Sequence, residues 1–149
     1  MNTQDDDLIK FYERTYGPFI HMFPNDKAIW MRYLMQGGSV FAPFTYDARV
    51  GEGVTMPVGS TSQALTIAFA LTTKRIDALS FGSNQVRVFE VKPRAGLGAI
   101  GQLIGYRDLY LKTFGSDKNV EMHLITDKLQ PDMVTVLTIN NIQYTEVGY

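Results

Sequence analysis

A chain of 149 residues, 45% hydrophobic and 19% charged, can bury one core of ordinary size and is too short for two, so residues 1–149 are expected to form a single domain. Fourteen basic against fifteen acidic residues give a net charge of -1, which excludes a whole-molecule pull toward a polyanion. The absence of cysteine excludes disulfides, thiolate zinc sites and a cysteine nucleophile.

The opening MNTQDDDLIK is acidic and lacks the basic start and apolar stretch of a secretory signal, so a cytoplasmic protein is expected. Asp7 to Tyr16 carries Leu8, Phe11, Tyr12 and Tyr16 at near-helical spacing and predicts a first helix. After Pro18 and Pro24, a second helix is expected over Asn25 to Met35, with Asn25 as its cap and Gly37-Gly38 as its stop. Ser39 to Val50 is rich in β-branched and aromatic residues and predicts a strand. A Gly/Pro/Ser-rich loop follows, and the apolar run Ala64 to Leu71 reads as a buried strand continuing to Phe81, being far too short to span a bilayer. Gly82-Ser83-Asn84 turns the chain into a third strand, Gln85 to Lys92, which Pro93 ends. Ala99 to Phe114 reads as an amphipathic helix that can present Ile100, Leu103, Ile104, Leu111 and Phe114 on one face. A strand over Val120 to Thr126, a helix from about Pro131 and a strand over Ile142 to Val147 complete an α/β order: a mixed central sheet flanked by helices.

A hairpin turn centred between Ser83 and Asn84 places Asp77 directly opposite Glu90. Carboxylates so placed repel, and a divalent cation between them removes the penalty. Alternation along the strand points Lys92 to the same side as Glu90, so two carboxylates and an ammonium converge. Oxygen ligands of this kind suit Mg²⁺ or Mn²⁺, and the chemistry such a site can perform is phosphodiester hydrolysis, with the lysine orienting water or stabilising developing charge. Gln102 falls one turn into the following helix, with Tyr106 four residues on and on the same face. Positive charge is concentrated here: between Lys74 and Lys112 there are seven basic and three acidic residues.

The segment RIDALSFGSNQVRVFEVKPRAGLGAIGQLIGY resembles the PD-(D/E)XK nuclease superfamily, in which an acid on one strand is followed by E-x-K on the next and often by a glutamine on the adjacent helix. Ile76 stands where the signature proline would. The resemblance implies a restriction endonuclease-like fold and a Mg²⁺-dependent DNA nuclease, in phage or mobile-element DNA processing, with homo-oligomers or other phage proteins as further partners. It implies a metal site at Asp77 and Glu90 together with Val91, a catalytic role for Lys92 and a supporting one for Gln102. An acid from an upstream helix is also implied, Glu13 being the natural candidate and Asp5, Asp6 and Asp7 weaker ones. Arg75, Arg94, Arg107 and Tyr106 are candidate nucleic-acid contacts, whereas His21 and His123 are expected to be structural. Three other readings stay open: a charged hairpin ladder pairing Arg75 with Glu90 and Asp77 with Lys92, a fold retained as a non-catalytic structural or adaptor module of a phage particle, and a nuclease directed at RNA.

Overall fold

The computed structural model describes residues 3–53, 55–115 and 117–148, without the side chains of 3–5 and 69–72, so the expectation at Asp5 lies outside the described residues. Two helices, α1 (Thr3–Tyr16) and α2 (Pro24–Met35), precede a 3₁₀ turn, Gly38–Phe41, and strand β1 (Phe44–Val50). Then come α3 (Ser62–Thr72), the hairpin β2 (Lys74–Phe81) and β3 (Gln85–Val91), α4 (Leu97–Phe114), β4 (Asn119–Thr126), α5 (Met133–Ile139) and β5 (Ile142–Glu146). The five strands form one sheet in the order β1-β2-β3-β4-β5. The first two pairings are antiparallel and the last two parallel, the parallel pairs being bridged by α4 and α5. Among the described residues no helix is long and apolar enough to cross a membrane.

Both faces of the sheet are covered. On one side Val86, Val88, Met122 and Leu124 pack against Ala99, Ile100, Leu103, Tyr106 and Tyr110 of α4 and Met133 and Leu137 of α5. Leu111 and Phe114 stay exposed, so the buried stripe of α4 runs through two tyrosines instead. On the other side Ala78, Phe89, Val91 and Ile125 meet Ile29, Trp30, Tyr33 and Leu34 of α2. Trp30 is fully buried, with its ring centroid 5.0 Å from that of Phe44 and 5.4 Å from that of Phe89, and its Nε1–H donates to the Tyr46 hydroxyl at 3.1 Å. Trp30→Phe should therefore destabilise the fold by about 1–2 kcal/mol, through the lost hydrogen bond and the space left by the smaller ring, and urea titration measures this.

Three expectations change. The apolar run Ala64 to Leu71 is helical, not a strand: the Thr61 hydroxyl caps the Ala64 N–H at 3.1 Å, the Thr61 carbonyl accepts from Leu65, and an alanine-rich sequence then follows the helix so started. A short apolar run has no period of its own that separates the two states. The strand expected from Ser39 begins only at Phe44, after the 3₁₀ turn and Pro43. Helix α2 is capped not by Asn25 but at Phe23, with Pro24 in the first helical position, where a missing N–H costs nothing.

Candidate metal and nucleic-acid site

The β2–β3 ladder pairs Ala78 with Phe89, Leu79 with Val88, Ser80 with Arg87 and Phe81 with Val86. Asp77 and Glu90 are next in line, and there the regular pairing ends. The Asp77 Oδ2 accepts the Val91 N–H at 2.8 Å, a carboxylate taking the place of a ladder carbonyl. Beyond that point β2 stays with β1, where Arg75 pairs with Arg49, while β3 stays with β4, the Lys92 N–H donating to the Ile125 carbonyl at 2.9 Å. The sheet opens between its second and third strands, and the cleft forms in the opening.

That cleft, of about 420 Å³, is lined by Asp77, Glu90, Val91 and Lys92 from the hairpin, Gln102 and Tyr106 from α4, Asn25 and Asp26 from α2, and His21. Glu90 is only 4% exposed. Its Oε2 is buried without a hydrogen-bond partner. Burial raises its carboxyl pKa to about 9, with the Asp77 charge adding to the rise and Lys92 opposing it. Asp77 is pushed up to about 6, again mainly by burial and against the pull of the Val91 N–H. Burial and the Asp77 charge both act against an ionised Glu90, so the pair favours a protonated form over two bare carboxylates. Tyr106 is pushed up to about 12 by burial and by the two acids, so it remains a neutral phenol, accepting the Gln102 side-chain N–H at 3.3 Å.

The donor set fits a hard divalent cation. An unpartnered buried carboxylate oxygen beside a second carboxylate is a site short of positive charge, and Mg²⁺ or Mn²⁺ favours oxygen ligands. Among the described residues no three His, Asp or Glu side chains cluster tightly enough to make a complete metal site. Mg²⁺ characteristically completes its shell with water and substrate oxygens, so two carboxylates suffice.

The structure does not bring Glu13 to the cleft. Its carboxylate is engaged by Lys27 Nζ at 2.8 Å, at the α1–α2 interface. The helix acid that does reach the cleft is Asp26, in the first turn of α2. Burial raises its pKa, while a hydrogen bond from the Phe23 N–H and the nearby Lys92 lower it. The sequence signal was the position after Phe23-Pro24-Asn25, where a carboxylate three residues past the cap reaches back to the helix start. His21 was missed as well. It lines the cleft, fixed by Asp47 at 2.9 Å on Nε2 and Arg75 at 3.2 Å on Nδ1. Arg75 also lies 3.4 Å from Asp47, and among the described residues neither diagonal of a simple charged ladder, Arg75 with Glu90 or Asp77 with Lys92, forms a salt bridge. Arg94 lies in an adjoining basin, whereas Arg107 pairs with Asp108 at 2.9 Å and lines a separate cavity with Asn119 and Gln143. His123 is buried away from the cleft, 3.2 Å from Glu121, with its pKa lowered by burial.

No family model matches the chain, and no curated protein matches it. Among solved structures, a repair endonuclease from Pyrococcus abyssi is similar at a TM-score of 0.49 and 15% identity, over 86% of this chain and 49% of that one. An EndoMS–dsDNA complex is similar at a TM-score of 0.47 and 19% identity, over 83% of this chain and 44% of that one. The chain thus spans about half the length of the solved structures it matches.

Proposed function

We propose that this chain is a divalent-metal-dependent DNA nuclease of the PD-(D/E)XK kind. The observation that carries the reading is the Asp77–Glu90 pair, Glu90 buried with an unpartnered oxygen, lining a cleft that also holds Lys92. Asp77 and Glu90 would hold Mg²⁺ or Mn²⁺, with Val91 lining the cleft beside them. When bound, the cation neutralises charge on the phosphoryl group and makes a water more acidic.

The chain's own residues supply the rest. Lys92 is exposed at the cleft wall, where its ammonium can stabilise negative charge building on the phosphoryl oxygens or orient the attacking water. Gln102 and Tyr106 line the cleft from α4, and the hydrogen bond between them orients the amide, which can contact a phosphate or that water. In the hydrolysis a water oxygen bonds to phosphorus and gives up a proton, the bond from phosphorus to one ester oxygen breaks, and that departing oxygen takes up a proton, so the strand is cut.

The first test is a Mg²⁺ and Mn²⁺ titration with cleavage assays on linear, nicked and branched DNA, comparing wild type with Asp77→Asn. Metal-dependent cutting lost in the variant is the expected result. Absence of both metal binding and cutting would leave the fold as a non-catalytic module. Within this reading, Asp26→Asn should slow cleavage about 10- to 100-fold, whereas Glu13→Gln should leave it unchanged, because only the first removes a carboxylate whose field reaches the acid pair. Equal effects of the two in single-turnover assays would show that Asp26 has no such role.

A further inference from the structure

Beside the cleft lies a second basin of about 340 Å³, walled by Asn25, Ala28, Ile29 and Arg32 of α2, by Pro93 and Arg94, and by Asp127 at the end of β4. Asn25 and Pro93 line both spaces, so the basin is a continuation of the cleft. We infer that it is a subsite for the nucleotide flanking the scissile bond, with Arg94 and Arg32 holding that nucleotide's backbone phosphate. The inference rests on the nuclease reading and gives the strand a path through the site.

The construction of the basin supports it. Arg94 has φ +44, a left-handed conformation that costs a residue with a side chain and persists only where the surroundings enforce it. Here they do: the Arg94 N–H donates to the Asp127 carboxylate at 2.7 Å and the Ala95 N–H to the Thr126 hydroxyl at 3.1 Å. Asp127, itself buried, is thereby occupied with the backbone. The Arg94 side chain itself is exposed and forms no salt bridge among the described residues. Two residues beyond Lys92, which lines the cleft, Arg94 lines the basin. Arg32 is positioned by donating from Nη1 to the Gly148 carbonyl at 3.1 Å. Two guanidiniums suit a phosphate, while the apolar wall of Ala28 and Ile29 and the Asn25 amide suit a sugar and a base.

The test is fluorescence anisotropy in EDTA with labelled single-stranded and duplex oligonucleotides, followed by Mg²⁺-started cleavage, for wild type, Arg94→Gln and Arg94→Gly. Arg94→Gln should weaken binding about 10-fold at low salt and reduce the slope of log K against log salt by about one. Arg94→Gly should lose as much affinity although it relieves the backbone strain, which separates charge from fold. A single neutral methylphosphonate walked along the strand should weaken wild type at one position next to the cut and leave Arg94→Gln indifferent there. Unchanged affinity and slope in both variants, or a methylphosphonate penalty that survives in Arg94→Gln, would overturn the subsite while leaving a cutting enzyme intact. A wild type that neither binds nor cuts any of these oligonucleotides would overturn the nuclease reading and the subsite with it.

Discussion

Glu90→Gln should abolish metal-dependent DNA cleavage, by about 10³-fold or more, and at the same time make the metal-free protein more stable at pH 8. The two effects share a cause. Wild-type Glu90 is buried, opposes a second carboxylate and has an oxygen with no partner, so folding penalises its ionised form. The folded-state pKa of about 9 lies above the ordinary value of 4.5, and Asp77 is raised likewise from 3.8 to about 6. A carboxyl whose pKa rises on folding adds stability that is fully present below its unfolded pKa and is lost as pH climbs through the folded one. Glu90 therefore costs the wild type stability progressively from about pH 4.5 to 9, the larger share of the pair's effect, and Asp77 does so between about pH 4 and 6.

Each pH unit in that window is about 1.4 kcal/mol for one fully shifted group, so the difference between wild type and Glu90→Gln at pH 8 should be a few kcal/mol. Thermal melts of the two proteins from pH 5 to 9 in EDTA measure it. The gap should widen with pH, and Mg²⁺ should close it by stabilising the wild type alone, since a cation that binds only the folded state raises the melting temperature. Parallel melting curves at every pH would mean that Glu90 is solvated in the protein and that no charge-starved site exists.

What the sequence made legible was local. The register that sets Asp77 beside Glu90 follows from one tight turn, and the approach of Gln102 and Tyr106 follows from helical spacing; neither needs knowledge of distant segments. The helix over Ser62–Thr72 was not legible because its deciding feature is a single threonine cap at Thr61, set in a loop, against an apolar run that suits either state. Asp26 and His21 were hidden for another reason. They reach the cleft only because α2 and the segment before it pack across the sheet face through Phe19, Trp30 and Phe89, contacts that join residues far apart in the chain. Glu13 shows the converse: its position on the first helix was compatible with the cleft, and Lys27 on the neighbouring helix engages it instead.

Lys92→Met should lower single-turnover cleavage about 10²- to 10³-fold while leaving the melting temperature and Mg²⁺ affinity close to those of wild type. Lys92 is exposed and fills no core space, so its removal leaves no cavity. Its charge nevertheless reaches all three acids of the cleft, lowering the carboxyl pKa of Asp26, Asp77 and Glu90 against the burial that raises them. Taking that charge away should push the three carboxyls further up, so the acidic limb of the pH–rate profile should move to higher pH in Lys92→Met. Lys92→Arg separates the two contributions: it should restore the position of the limb, because the charge is kept, while recovering only part of the rate, because a planar guanidinium cannot reproduce the donor geometry of an ammonium. A rate loss without any displacement of the limb would mean that Lys92 touches the substrate but does not set the charge of the site.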